Sequence, residues 1–326
     1  MMSKKSFFSG FGAILIWSTT FALSKFVLEN GKSPDHFNVF TYLSLRLLFG
    51  LPYLWGTLFV TKKIKYIPVV LKAQWKQLLF LGLISFAGAY IIQYFGILGT
   101  TSVNQSLILN MQTFFVFFIT AIIYKNKINP FVIVGAVVAF FGLFFIITNT
   151  GGGFAINTDT IFGDLMSLLT AFLWATFSTG SAKLITKYDK LTVLTLVETI
   201  GSIIIVPFAF VKMPNSTNNL AILSVWDWLA LVWLGIVCIG IGYQLWYRAL
   251  ADSKSQDVIL LMYIMPIFSY IVGYLLLDES LSWKMLIGSA LIIGGLLIAQ
   301  FINPKKKKTE DHEEEVIQLD SDIPKP

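Results

Sequence analysis

WKQLLFLGLISFAGAYIIQY, residues 75–94, and WLALVWLGIVCIGIGYQLWY, residues 228–247, decide the fold. Each is a run of about 20 mostly apolar residues, enough to cross a bilayer core as one helix. Shifted by 153 positions, one falls on the other: Trp75 on Trp228, Gly82 on Gly235, Tyr90 on Tyr243 and Tyr94 on Tyr247. The same shift carries Ser102 onto Ser255, Phe115 onto Phe268, Gly135 onto Gly288 and Gly142 onto Gly295. A shift of 157 carries Trp17 onto Trp174. Apolar matches mean little in so apolar a chain, but Trp, Tyr and Gly at one offset mark an internal repeat.

Working outward, eight further runs have the same character. The ten predicted spans are 7–28, 37–60, 78–98, 102–124, 130–147, 161–184, 191–211, 228–250, 258–277 and 283–302. Their connectors are short, so no soluble domain fits between them. Of the 326 residues, 56% are hydrophobic and 13% charged, against about 25% charged in a soluble domain. That excludes an ordinary soluble enzyme and a disordered chain. A single cysteine, Cys238, excludes a disulfide scaffold, and His36 and His312 stand too far apart to suggest a metal site. No metal and no cofactor are expected.

Lysine and arginine placement sets the orientation. With a cytoplasmic N-terminus, Lys32, Lys212 and Lys284 fall outside, Lys25 and Arg46 fall within spans, and the other 19 of the 24 basic residues fall inside. Both termini are therefore expected in the cytoplasm, and the net charge of +6 reports membrane orientation, with no nucleic-acid footprint. Five spans per copy is an odd number, so the second copy enters from the opposite face. The predicted fold is an all-α integral membrane protein of ten transmembrane helices, arranged as two inverted five-helix repeats over 1–149 and 150–303. Residues 304–326, with Lys305 to Lys308 followed by an acidic run, read as a disordered charged cytoplasmic tail. Gly151-Gly152-Gly153 reads as an external connector rather than a phosphate loop.

A charge inside a span costs about 2.5–3.5 kcal/mol and asks for a reason. Arg46 lies about 12 Å into the second span. Glu198 sits close to its repeat image in the seventh. They read as an Arg46–Glu198 pair, as separate groups at a cavity, or, for Arg46, as a structural arginine bonded to backbone carbonyls. Lys25 stands near a span end and can snorkel to the interface. Asp164 suits a helix N-terminus. Neutral polar residues gather in Tyr90, Gln93 and Tyr94, in Tyr243, Gln244 and Tyr247, and in the fourth span's Asn104, Gln105, Asn110, Gln112 and Thr113. Tyr263 is the repeat image of Asn110, and Pro266 can free carbonyls in the ninth span. Amides in spans glue helices as well as line cavities.

The chain resembles the drug/metabolite transporter superfamily, in its ten-span form with two EamA domains. The resemblance rests on residues 12–21 (GAILIWSTTF), Gly163-Asp164-Leu165, Ala171-Phe172-Leu173-Trp174-Ala175, Arg46, Tyr247-Arg248-Ala249-Leu250, Pro266, Leu277-Asp278-Glu279-Ser280-Leu281 and Gly288 with Gly294-Gly295. It implies a secondary transporter rather than an enzyme, moving a small organic metabolite, amino-acid-like or drug-like, outward by alternating access. A midplane cavity between spans 1, 3, 4, 6, 8 and 9 would be lined by Trp17, Tyr90, Tyr94, Asn110, Trp174, Tyr243, Gln244 and Tyr263. Arg46, Glu198, Lys25 and Pro266 would serve as gating or intramembrane charge positions. Glu198 and Asp164 are the span carboxylates able to carry a proton, so proton coupling and facilitation both stay open. Two departures stand out: Thr113 replaces the proline expected at the image of Pro266, and Lys125-Asn126 replaces the acid at the image of Asp278-Glu279. These put in doubt a gating role for a helix break or for an acid in the first copy. A lipid-handling intramembrane protein and a non-transporting scaffold remain alternatives. Strong positive-inside bias and short loops suit a prokaryotic cytoplasmic membrane.

Overall fold

The computed structural model describes residues 4–29, 35–125, 130–148, 159–251, 260–279 and 282–301. The tail and the triple glycine lie outside these residues. Eight helices are long and apolar enough to cross a membrane: α1 (Lys4–Glu29), α2 (Val39–Val60), α3 (Lys63–Leu98), α4 (Ser102–Ile123), α5 (Pro130–Ile147), α6 (Ile161–Lys187), α7 (Lys190–Phe208) and α8 (Val225–Trp246). Two further apolar helices follow, α9 (Met265–Leu277) and α10 (Trp283–Phe301). Broad apolar faces such as Val137, Phe141 and Phe144 of α5 stay exposed, as lipid contact requires. The protein is integral to the membrane.

The first long connector corrects the sequence expectation. Residues 61–77 fall between the second and third predicted spans as a connector, but Ile67–Phe80 is helical, with Pro68 in its first turn, and runs on into the third span. The merged helix has 36 residues, about 54 Å at 1.5 Å per residue, far more than a bilayer core needs. A non-helical residue at Gln74 kinks it. The end before the kink exposes Val69 and Leu71 beside lysines, a pattern that lies along an interface.

Caps set several helix starts. Asn38 Oδ1 accepts the Phe40 N–H at 2.9 Å, and its Nδ2 donates to the Val211 carbonyl at 2.9 Å. One side chain thus begins α2 and ties the 1–2 connector to the 7–8 connector. Beside it, β1 (His36–Phe37) pairs parallel with β2 (Ser216–Thr217), a small departure from a purely helical chain. At α7, Asp189 Oδ1 accepts the Thr192 N–H at 3.0 Å, and Asp189 Oδ2 accepts from Lys63 Nζ at 2.7 Å across the 2–3 connector. The 1–2 connector therefore sits with 7–8 and the 2–3 connector with 6–7. Repeat images (1–2 and 6–7, 2–3 and 7–8) thus lie at opposite ends, which is inversion made visible.

Helix packing obeys the same exchange. Contacts of α1 with α8 and α9 are answered by contacts of α6 with α3 and α4, and α2 with α8 by α7 with α3. The pairs α5–α10, α2–α7 and α4–α9 map onto themselves. At α5–α10 the backbones touch through glycines. A Cβ on Gly135 would stand 2.3 Å from the Gly295 carbonyl oxygen, and one on Gly295 2.3 Å from that of Gly135. Gly142 and Gly288 repeat this reciprocity. Small residues permit such approach where no hydrophobic effect pulls helices together.

Both copies also carry one irregularity at one register. Leu81–Ala87 of α3 and Trp233–Gly242 of α8 are wound as π-helix. Nothing in hydropathy announces these wide turns; they precede Tyr90 and Tyr243.

The Asp189 pair yields a pH prediction. Burial pushes the Asp189 carboxyl up, but hydrogen bonds from Lys63 and the Thr192 N–H outweigh it and hold it below its ordinary value. A depressed carboxylate stabilises at neutral pH, and the gain vanishes as pH falls through its lowered value. Asp189→Asn keeps a capping oxygen and removes the charge. It is expected to cost at most about 1 kcal/mol at pH 7, as for a half-exposed pair. In a thermal melt the deficit should disappear on acidification; a deficit unchanged at low pH would show that the pair contributes nothing.

Candidate functional site

Arg46 is buried on α2. Its guanidinium donates to the Tyr94 hydroxyl and lies 5.1 Å from the Tyr90 ring centre and 5.7 Å from that of Tyr94. One turn separates Tyr90 from Tyr94 on α3, and their rings stack at 5.9 Å and 8°. Tyr42 packs edge-on against Tyr94 at 4.9 Å and donates to Ser24 Oγ at 2.7 Å. Aromatic faces and a phenol thus meet the guanidinium, an arrangement worth about 2 kcal/mol when desolvated. Two of the sequence readings of Arg46 are thereby replaced, the carbonyl-bonded arginine and the ion pair. Among the described residues it bonds to no backbone carbonyl and forms no ion pair with Glu198.

Next to this cluster, Trp174 on α6 meets Tyr90 at 5.4 Å and 86°, and its Nε1 donates to Gln93 Oε1 at 3.0 Å. The image pair repeats the geometry: Trp17 on α1 meets Tyr243 at 5.1 Å and 67°. Trp246 replaces Gln93 there and lies 5.5 Å from Trp17, whose Nε1 instead donates to the Cys238 carbonyl at 3.0 Å in the wide turn of α8. Trp17, Trp174 and Tyr243 pack, partly buried, on the core that contains Tyr90 and Tyr94.

The remaining predicted lining residues are not drawn into these cages. Asn110 Nδ2 donates to the Ser106 carbonyl at 3.1 Å, a bond to its own helix that competes with the ladder. Gln244 Nε2 reaches the Tyr53 hydroxyl at 3.5 Å. The Tyr263 and Tyr247 side chains lie outside the described set. Tyr94 is 0% and Tyr90 4% exposed, so these two rings are packed in this conformation. Two concavities formed by described residues lie elsewhere. One, of about 330 Å³, is lined by Lys63, Tyr66, Val69, Val70, Lys187, Tyr188 and Asp189; the other is on the outer face of α5.

The fourth span is interrupted in spite of lacking that proline. α4 breaks after Leu109 and resumes at Gln112 without a proline. α9 does the same at the image register, where a 3-10 turn over Leu260–Ile264 gives way to Met265, with Pro266 buried in the first turn. Asn110 at the break offers its backbone an alternative partner, as Pro266 removes one.

A buried polar network closes one end of the bundle. Lys25 does not snorkel. Its Nζ donates to the Thr100 carbonyl at 2.6 Å and lies 3.6 Å from both Glu29 and Glu279. Glu279 Oε1 accepts the Ser102 N–H at 2.8 Å, and Oε2 accepts the Ser102 hydroxyl at 2.7 Å and the Val103 N–H at 3.2 Å, capping α4. Asp164, fully buried in the first turn of α6, accepts from Thr100 Oγ1 at 2.5 Å and Thr160 Oγ1 at 3.2 Å. Helices 1, 3, 4, 6 and 9 are thereby tied at one end. Sequence reading saw the acidic pair after α9 but missed its role, because the capped residue lies 177 positions away. Glu279→Ala leaves two N–H groups without an acceptor and Lys25 with Glu29 as its one remaining close carboxylate among the described residues. A loss of about 2–3 kcal/mol is expected in thermal melts, with Glu279→Gln losing less because its carbonyl still caps. Equal losses would show that the cap contributes nothing, and no loss in Glu279→Gln would show that the ion pair does not matter.

Comparison with known proteins agrees with this architecture. A solved crystal structure superposes with a TM-score of 0.61 at 19% identity, covering 94% of this chain and 98% of that one, a likeness of fold. An uncharacterized transporter of Archaeoglobus fulgidus is 28% identical over 288 residues, 87% of this chain and 93% of that protein. A probable amino-acid metabolite efflux pump of Escherichia coli is 26% identical over 201 residues, 60% of this chain and 66% of that protein. With both copies matched, over residues 4–148 and 161–301, the chain belongs to the EamA-like transporter family, a membrane transporter and not an enzyme.

Proposed function

We propose that this protein is a secondary transporter that moves a small organic metabolite, amino-acid-like or drug-like, across the membrane by alternating access, in the direction of export. The observation that carries the reading is the pair of image-related cages, Trp174–Tyr90 and Trp17–Tyr243, on opposite copies of an inverted repeat. Two equivalent half-sites related by the pseudo-two-fold can exchange conformations and open in turn to each side. Repeat units over 1–149 and 150–303, a tail over 304–326 and cytoplasmic termini complete the proposal, supported by the lysine distribution. The Lys25–Glu279 network acts as the outer gate, closed in this conformation. Asp164 and Glu198 remain the candidate proton carriers if transport is coupled.

Counterflow in proteoliposomes tests the reading, with labelled amino acids, purines and organic cations as the panel. One class is expected to exchange, and Tyr90→Ala is expected to lower that exchange at least tenfold in protein that still elutes as one species. Full exchange in Tyr90→Ala would remove the cages from the transport path. No exchange of any class by folded wild-type protein would overturn the transporter reading.

A further inference from the structure

We propose that the concavity between the start of α3 and the α6–α7 junction binds one anionic phospholipid, its phosphate held by Lys63 and Lys187 and its acyl chains laid along the exposed apolar side of α3. The inference goes beyond the transport reading and does not depend on what is transported.

Residues 61–77 carry five lysines, Lys62, Lys63, Lys65, Lys72 and Lys76, and no acidic residue. Across the concavity, Lys187 ends α6 and is exposed. The acid beside it, Asp189, is met by Lys63 Nζ at 2.7 Å. An ammonium has three donors, so Lys63 keeps two for another oxygen. Among the described residues, Lys62, Lys65 and Lys187 have no carboxylate within ion-pair distance. Lys65 and Lys187 lie instead over the rings of their neighbours Tyr66 and Tyr188, at 5.2 and 5.6 Å. An anion seated here meets cations from both matched domains, Lys63 from the first and Lys187 from the second.

Lysines beside a membrane need only water, and charge alone does not choose an occupant. Shape and apolar surface choose it here. The concavity holds about 330 Å³, within the roughly 300–1,000 Å³ of ligand sites. Val69, Val70, Tyr66 and Tyr188 line it beside the two lysines. Past the kink at Gln74, α3 exposes Trp75, Leu79 and Phe80 and becomes the third span. Along one helix the chain thus passes from lysine through tyrosine and tryptophan to purely apolar side chains. A phospholipid presents phosphate, glycerol and acyl chains in that order. Tyr and Trp rings suit the headgroup level, and lysines at that level attract anionic lipid. A soluble anion would match the lysines and leave the apolar surface bare. A choline headgroup would match the apolar surface but bring its own cation against the lysines.

The test is native mass spectrometry of the full-length protein in a neutral detergent, titrated with phosphatidylglycerol and, separately, with phosphatidylcholine of the same chains. Wild type is expected to hold one phosphatidylglycerol at least tenfold more tightly than phosphatidylcholine. Lys187→Gln leaves the Lys63–Asp189 pair in place and should weaken phosphatidylglycerol binding about fivefold. Lys63→Gln/Lys187→Gln should weaken it at least tenfold and erase the preference. Lys125→Gln/Arg248→Gln removes the same charge outside the concavity and should bind as wild type does. Equal affinity of wild type for the two lipids overturns the proposal, and this arm decides even if a variant fails to fold. So does wild-type affinity in folded Lys187→Gln protein. Equal losses in the two double variants overturn it as well, since net charge would then suffice. Displacement of the lipid by glycerol 3-phosphate would make this a site for a free phosphate and overturn the lipid assignment. None of these readings involves transport, so the lipid site and the transport reading stand or fall separately.

Discussion

Gly295→Ala is expected to lower the melting temperature of the purified protein by at least roughly 5 °C, corresponding to about 3 kcal/mol of overpacking. The added carbon would stand 2.3 Å from the Gly135 carbonyl oxygen, 2.9 Å from the Ala139 nitrogen and 3.1 Å from the Ala139 Cβ. Two of these neighbours are backbone atoms, so no rotamer change relieves the clash. α5 and α10 must separate, and every contact along that interface weakens together. The neighbouring Gly294 gives the control, since a Cβ there meets nothing within 4 Å. Gly294→Ala should leave the melt unchanged or raise it slightly through helix propensity. Equal melts for the two variants would mean that the glycine contact does not hold α5 to α10.

Arg46→Ala is expected to reduce counterflow of whichever solute proves to be the substrate by about a hundredfold or more, with the protein still folded. A buried cation in a span is costly to insert, and this one is met by Tyr90 and Tyr94 rather than by a carboxylate ion pair. Its removal abolishes the only cation that the described residues place among those rings. Arg46→Lys is expected to recover little, because an ammonium lacks the planar face that stacks on two tyrosines and the fork that can hold a carboxylate while bonding Tyr94. Wild-type exchange by Arg46→Ala would make the arginine a packing residue. Exchange restored fully by lysine would make its charge sufficient.

The legible part of this protein was the part that repeats or partitions. Span after span could be read from hydropathy because lipid accepts little else. The 153-residue offset could be read because Trp, Tyr and Gly are rare enough to mark register. Trp17, Tyr90, Trp174 and Tyr243 came from that register, and the structure brings them together in pairs. Asn110 and Gln244 looked equivalent to them in a one-dimensional reading, yet they bond to Ser106 and Tyr53. An amide's partner depends on which carbonyl or hydroxyl is nearest in space, and spacing along one helix does not reveal it.

The membrane class, the internal repeat and the inversion that follows from five spans per copy are all written in the order of the residues. These depend on composition, period and parity, which are properties of the chain read in order. Folding in three dimensions was needed to show that Glu279 caps α4, that Lys25 bonds to Thr100 and Glu279, that the first-copy helix breaks without proline and that Arg46 faces two tyrosines while Glu198 keeps both oxygens unbonded. Each of these is a short-range contact between distant segments. Hydrogen bonds and ring contacts act over a few ångströms, so they become definite only once packing has chosen which helices touch.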